Sequence, residues 1–165
     1  MRLNNILSFC AMSALLLLTG CAKESLDVAQ DVGLLPSTCG SDGARLQATT
    51  GEGAFCASAQ ILAVGDESSV TISGFDLTGT SIVLQVDSLG VGSRPMTEAQ
   101  NGLLYMRSGT SYTNGPNTEG TLTIEIHDAA TRRLKGAFQS SLINIQNGTE
   151  QSVQGQFDVT YTIEG

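Results

Sequence analysis

Apolar and polar residues alternate along most of the chain from about residue 44 onward. A period of two residues is typical of a β-strand that buries one face and exposes the other. The pattern therefore predicts a series of half-buried strands. The clearest examples are residues 70–74, 81–87, 121–127, 134–138 and 156–164.

Turn-forming residues separate these runs, in keeping with nineteen Gly and only three Pro in the chain. No helical stretch lies between the runs, and parallel strands would need crossovers of a dozen or more residues, so the strands are expected to be antiparallel. The sequence predicts an all-β domain over residues 38–165 with about eight or nine strands. A β-sandwich is favoured, and a flattened barrel is the alternative.

The N-terminus carries a different pattern. An apolar run from Ile6 to Leu18 follows Arg2 and is too short to span a bilayer, which takes about twenty residues. A short apolar run after a basic residue is typical of a secretory signal peptide. The run ends in Leu18-Thr19-Gly20-Cys21, which resembles the lipobox of bacterial lipoproteins.

The lipobox resemblance implies that residues 1–20 are removed and that Cys21 becomes the lipidated N-terminus. Cys21 would then carry a diacylglycerol thioether and an acyl chain such as palmitate, and two or more chains make a stable membrane anchor. Ala22 in place of Asp favours the outer membrane over the inner one. Residues 21–37 are interpreted as the lipidated Cys and a charged tether that holds the domain off the membrane.

Two cysteines remain for the domain, Cys39 and Cys56. An even number of cysteines in an oxidising compartment favours a disulfide. Closing a loop of this length stabilises the fold by about 3 kcal/mol in the chain-entropy model. A metal or redox pair is the weaker alternative, because the chain has no C-x-x-C motif.

Charge narrows the range of partners. The chain has 8 Lys plus Arg and 16 Asp plus Glu, which gives a formal net charge of −8. Phosphate binding depends on clusters of Lys and Arg, so nucleic acid is not an expected partner. Contact with the membrane is expected through the anchor at Cys21.

The residues that carry chemistry are few. His127 is the only His and is expected to lie exposed at the end of its strand, so a Ser-His-Asp triad has little support without a G-x-S-x-G motif. No calcium-loop or zinc-ligand spacing is present. The sequence therefore predicts no catalytic residue, no metal and no cofactor, and a protein that is not an enzyme.

Loose strand motifs extend across residues 44–163. They include L-x-G-x-F at Leu134–Phe138 and V-x-G-x-F-x-V-x-Y at Val153–Tyr161. In these motifs the chain resembles small uncharacterised β-rich lipoproteins of Bacteroidota and other Gram-negative bacteria. The resemblance implies a β fold and a location in the cell envelope, and it implies no particular chemistry.

Three functions follow from these observations as hypotheses. The first is a non-catalytic binding or accessory domain that presents loops or a sheet face to an envelope or extracellular partner. The second is a calycin-like carrier of a small apolar ligand, with a cavity lined by Leu84, Ile124, Phe138 and Phe157. The third is an inhibitor of a lysozyme-type periplasmic enzyme, since an acidic protein suits a basic target.

Overall fold

The computed structural model of the protein describes residue 39 and residues 44–57 and 60–163. All of them belong to the unit Thr38–Gly165. The predicted signal peptide 1–20 and the predicted lipidated Cys and tether 21–37 lie outside the described residues. Within the described part of the chain, no helix is long and apolar enough to cross a membrane.

The described residues form twelve β-strands and no helix, which confirms the all-β prediction. The strands are β1 (Arg45–Thr50), β2 (Gly53–Cys56), β3 (Gln60–Gly65), β4 (Val70–Phe75), β5 (Ser81–Val86), β6 (Gly92–Pro95), β7 (Leu103–Arg107), β8 (Thr110–Thr113), β9 (Gly120–Asp128), β10 (Arg133–Ile143), β11 (Glu150–Thr160) and β12 (Thr162–Ile163).

The strands form one sheet that curls strongly into a half-barrel. The main order is β12-β3-β4-β5-β7-β8-β10-β11-β1-β2, with β9 on β10 and β6 on β9. Every described pair is antiparallel except β12 with β3, so the sheet is mixed. The two separate sheets of the favoured β-sandwich are not confirmed.

One residue pair explains how a sandwich-like pattern becomes a single sheet. Strands β3, β4, β5, β7, β8 and β12 form the first half, and β1, β2, β6, β9, β10 and β11 form the second half. Among the described residues, only Thr113↔Ile143 pairs one half with the other. Next to it, the buried Asn114 side chain accepts a hydrogen bond from Leu103 N (2.6 Å) and donates one to Ser140 Oγ (2.7 Å).

The described residues form twelve strands, so the predicted count of eight or nine is not confirmed. Short strands have too few residues to show a clear alternation of apolar and polar positions. Strands β2, β6 and β12 have four residues or fewer. Ser108 (φ 50°) and Gly109 (φ 80°) also form a two-residue turn that separates β7 from β8. Positive φ at both central positions is the type I′ geometry that suits tight hairpins.

Two Gly–Phe pairs organise the core between the neighbouring strands β10 and β11. Gly136 faces Phe157, and Phe138 faces Gly155, so each ring lies over the glycine of the opposite strand. Both rings are at most 3% exposed. The sequence motifs L-x-G-x-F and V-x-G-x-F therefore lie on neighbouring antiparallel strands, and the Phe ring of each motif occupies the space beside the Gly of the other.

The inner faces of the two halves also meet directly. A Cβ on Gly74 of β4 would lie 2.5 Å from Leu46 Cδ2 of β1 and 2.9 Å from Ala57 Cβ. The missing side chain at Gly74 lets the fully buried Leu46 reach across the core. At one end of the sheet, Arg107 Nη1 in β7 donates to Glu52 O after β1 (3.0 Å).

A β-bulge reverses the predicted orientation at the end of β9. Gly136 pairs with Ile124, but the preceding Lys135 pairs with Ile126, which leaves Glu125 as an extra residue. An extra residue flips every later side chain to the other face. Ile126 is consequently 38% exposed, whereas the alternation over residues 121–127 predicts that it shares the buried face of Leu122 and Ile124. For Ile126 that prediction is wrong.

Candidate binding face on the second half of the sheet

A broad depression lies on the second half, on the side of the sheet that points away from the core. It is a shallow trough of about 590 Å³ that crosses five strands. Side chains at its floor alternate along each strand with buried core residues. Its outward-pointing members are Gln47, Thr49, Ala54, Cys56, Thr121, Thr123, Ala137, Gln139, Gln154 and Gln156.

The strand register arranges these side chains in two rows. The first row runs Cys56, Gln47, Gln156, Ala137 and Thr123 across β2, β1, β11, β10 and β9. The second row runs Ala54, Thr49, Gln154, Gln139 and Thr121 across the same strands. We call the four Gln and three Thr of these rows the Gln/Thr face.

Strand geometry gives this face its dimensions. Neighbouring strands lie about 4.8 Å apart, so five strands extend about 19 Å across the trough. Residues two positions apart on one strand are separated by about 7 Å, which is the distance between the two rows. The face is therefore long across the strands and narrow along them.

The Gln/Thr face contains no charged side chain, although the chain is rich in acidic residues. The adjacent cross-strand row is charged and consists of Arg45, Asp158 and Lys135. Arg133 donates two hydrogen bonds to Asp158 (2.9 and 2.7 Å), which lower the pKa of that carboxyl group. Lys135 Nζ lies 3.0 Å from Glu125 Oε2. These ion pairs keep the charges along the border of the face.

The amide groups on the face have no partners in the described part of the chain. No hydrogen bond joins Gln47, Gln139, Gln154 or Gln156 to another described side chain or to the backbone. Gln85 on the first half is different, because it accepts from Thr71 Oγ1 (2.6 Å) and donates to Asp87 Oδ1 (3.1 Å). The four amides are therefore free to bind a ligand.

The predicted cysteine pair lies at one end of this face. Cys39 and Cys56 form a disulfide with their Cα atoms 4.7 Å apart, in line with the prediction from the sequence. Both residues line the trough. The disulfide therefore ties the segment before β1 to the edge strand β2 beside the first row.

A second and narrower cleft of about 150 Å³ lies between the halves and contains Asp76, Tyr105 and Arg107. Its polar groups bind each other. Asp76 accepts hydrogen bonds from Thr78 and Thr80 N (2.8 Å), and Arg107 Nη1 lies 3.4 Å from Glu52 Oε2. These contacts indicate a structural link between the halves.

His127 is placed differently from the prediction. It lies near the end of β9 as expected, but the bulge turns it toward Tyr161, and it is only partly exposed. His127 Nε2 lies 3.0 Å from Tyr161 Oη, and the two rings stack 6.1 Å apart. The prediction of an exposed His is wrong. The bulge that turns His127 arises from the register of β9 with β10, and the sequence of β9 alone does not show that register.

The other expectations from the sequence concern the lipidation site, metal binding and the cavity of a ligand carrier. Cys21, the predicted lipidation site, lies outside the described residues. Among the described residues, no group of three or more His, Cys, Asp or Glu is placed to hold a metal ion. The four residues expected to line a carrier cavity all belong to one packed core and are at most 3% exposed: Leu84, Ile124, Phe138 and Phe157. Their packing gives the carrier hypothesis no support.

Sequence reasoning missed the Gln/Thr face, although each strand carries a visible sign of it. Gln154-x-Gln156, Thr121-x-Thr123 and Gln47-x-Thr49 place two uncharged polar residues on one face of a strand. What was missing was the order of the strands in the sheet.

Comparison of the chain with protein-family models, with curated proteins and with solved structures finds no match.

Proposed function

We propose that this chain is a lipid-anchored, non-catalytic binding protein of the bacterial cell envelope, and that the Gln/Thr face is its binding surface. The observation that carries the proposal is the set of four glutamine amides in two registered rows, which have no hydrogen bond to other described residues and no charged side chain between them. Long polar side chains on a rigid sheet lose no backbone freedom when they bind, which favours recognition.

The envelope location in this proposal rests on the N-terminal sequence. Leu18-Thr19-Gly20-Cys21 at the end of a short apolar run supports export, cleavage and lipidation at Cys21. The disulfide Cys39–Cys56 supports an oxidising compartment. Ala22 after the lipidated Cys favours the outer membrane.

The absence of catalysis in the proposal rests on the chain's single His. Its Nε2 is engaged by Tyr161 Oη, and no nucleophile is paired with it in the described hydrogen bonds. A binding surface of uncharged amides and hydroxyls has no group that attacks a bond or transfers a proton near neutral pH.

The anchor is tested by labelling. The full-length protein is expressed in a Gram-negative host that is fed an alkyne-tagged palmitate analogue. We expect a labelled protein in the membrane fraction, loss of the label in Cys21→Ala, and an unchanged label in the matched control Cys10→Ala. Label that persists in Cys21→Ala contradicts the anchor.

The binding face is tested by photo-crosslinking in the same cells. A photoreactive benzoylphenylalanine replaces Gln139 or Gln156 on the face, or Gln146 in the exposed β10–β11 turn as the matched control. We expect light-dependent adducts from the two face positions and none from Gln146. Equal adducts at all three positions, or adducts at Gln146 alone, contradict the assignment of the face.

A further inference from the structure

We infer that the ligand of the Gln/Thr face is an uncharged glycan that carries N-acetyl groups; this inference rests on the proposed function. It follows from the chemistry of the amides, from the absence of charge, from the position of the face within the sheet, and from its shape.

A glutamine side chain offers one carbonyl acceptor and an NH₂ group with two donors. An N-acetyl group offers one N–H donor and one carbonyl acceptor, which point in opposite directions because its amide is trans. Two neighbouring glutamines can therefore bind it together, one accepting from the N–H and the other donating to the carbonyl. Gln47 faces Gln156, and Gln139 faces Gln154, directly across neighbouring strands. Side chains in such pairs lie about 5 Å apart, which is close to the width of a sugar ring.

The electrostatics of the face select against charged ligands. An anionic polymer would meet no cation on the face itself, and the net charge of −8 repels it at longer range. A cationic ligand would meet no carboxylate between the two rows. An uncharged ligand that is rich in hydroxyl and amide groups loses nothing from this arrangement.

The position of the face argues against an extended peptide as the ligand. Peptides that add to a sheet bind the free backbone groups of an edge strand. The strands that carry the glutamines, β1, β10 and β11, are paired on both sides, so their backbone groups are already used. Recognition has to run through side chains alone, as in hydrogen bonding to sugar hydroxyls and acetamido groups.

The shape of the trough fits a chain of several sugars. Its length of about 19 Å across five strands exceeds a single ring several times over. Ala54 and Ala137 lie among the amides and offer methyl groups against which acetamido methyls and ring C–H groups pack. Phe55 and Phe138 also line the trough, but each is only 3% exposed and offers little ring surface for stacking. We therefore expect modest affinity for one protein copy and stronger binding by many copies on one membrane.

The test uses the full-length lipidated protein in phosphatidylethanolamine–phosphatidylglycerol vesicles. The probes are a β-1,4-linked hexamer of N-acetylglucosamine and a glucose hexamer of the same linkage, titrated by calorimetry. We expect binding of the first hexamer, binding of the second that is weaker by about tenfold, and little change with salt. The factor corresponds to the loss of one or two hydrogen bonds at the acetamido groups. Equal affinity for the two hexamers overturns the inference without any variant.

Variants locate the binding. Gln139→Ala combined with Gln154→Ala is expected to weaken binding of the N-acetylated hexamer by about tenfold or more. The matched control, Gln60→Ala combined with Gln146→Ala, removes two exposed glutamines from other regions and is expected to leave binding unchanged. An equal loss in both double variants contradicts the site.

The outcomes separate this inference from the proposed function. Face-specific photo-adducts together with no binding of either hexamer overturn the glycan and leave the binding face standing. Neither adducts nor hexamer binding overturns both. Adducts that glycan hydrolases shorten, together with selective binding of the N-acetylated hexamer, support both.

Discussion

Gly155 is one of the closely packed glycines of the core, and a single added methyl group there probes this packing. A Cβ on Gly155 would lie 2.5 Å from Phe138 Cζ and 2.9 Å from Ala48 Cβ, and it would also crowd the carbonyl oxygen of Gln47. Phe138 and Ala48 are both buried, so neither can move into solvent. The methyl group therefore has to displace β1 or the Phe138 ring.

The cost follows from two opposing effects. Overpacking a well-filled core costs about 1–3 kcal/mol. Replacing Gly by Ala restricts the unfolded chain and returns about 0.4–1 kcal/mol. Gly155→Ala is therefore expected to lower the free energy of unfolding by about 1–2 kcal/mol. In a domain of this size, roughly 4 °C of Tm corresponds to each kcal/mol, so the Tm is expected to fall by about 4–8 °C.

Thermal unfolding followed by circular dichroism measures this change, with the disulfide kept intact. Gly102→Ala is the matched control, since no atom lies within 4 Å of its added methyl group and its φ is not positive. The control is expected to keep or slightly raise the Tm. The double variant Gly155→Ala with Phe138→Leu should lose less stability than the sum of the single variants. A Tm for Gly155→Ala at or above that of Gly102→Ala would refute the packing argument.

Three further predictions concern single groups. The hydrogen bonds from Ser68 hold the pKa of Asp66 near 2, below the usual 3.8. The stability that this carboxylate contributes is therefore complete above about pH 4 and is lost as the pH falls toward 2. NMR titration of the carboxyl carbon checks this, and a titration midpoint near 4 contradicts it. Asn114→Ala leaves a buried backbone N–H of β7 without its partner and should cost about 1–3 kcal/mol in urea unfolding, whereas a loss below about 0.5 kcal/mol contradicts that role. Reduction of the Cys39–Cys56 disulfide should lower the free energy of unfolding by about 3 kcal/mol, and an unchanged urea midpoint under reducing conditions contradicts this.

Much of the fold could be predicted from the sequence, because the alternation of apolar and polar residues is a local property. It correctly assigns Ile72, Leu84 and Phe157 to the core, where each is at most 1% exposed. It fails at Ile126 and His127, because the bulge at Glu125 arises from the pairing of β9 with β10. The local pattern of one strand contains no information about its register with a neighbouring strand.

The turn signals show the same limit. Asn101-Gly102 and Asn114-Gly115 are dipeptides typical of turns, and both lie between strands in the structure. However, both Asn side chains are buried and bind other segments of the chain: Asn101 accepts from Asp87 N (3.0 Å), and Asn114 bridges β7 and β10. Their structural role depends on contacts that only the folded chain provides.

The Gln/Thr face could be predicted only in pieces. Each strand reveals which of its residues point outward, but Gln47, Gln154 and Gln139 become neighbours only through the order β1-β11-β10. That order places β1 beside β11, although these two strands lie near opposite ends of the described chain. The candidate ligand surface is therefore a property of the topology, whereas the lipobox-like motif Leu18–Cys21 and the disulfide cysteines are visible in the sequence itself.

The reciprocal Gly–Phe pairs of β10 and β11 have a consequence for how this protein can change over generations. Gly136 and Phe157 occupy one shared volume, and Gly155 and Phe138 occupy another. A larger residue at either glycine requires the opposite ring to shrink, and it also requires a neighbouring strand to shift, because its Cβ would crowd Thr123 O at Gly136 or Gln47 O at Gly155. Each Gly–Phe pair is therefore expected to mutate together. Descendants of this chain should exchange the small and the large residue between the two strands while keeping the combined side-chain volume of the pair. This paired substitution would mark them as relatives even where the rest of the sequence has diverged.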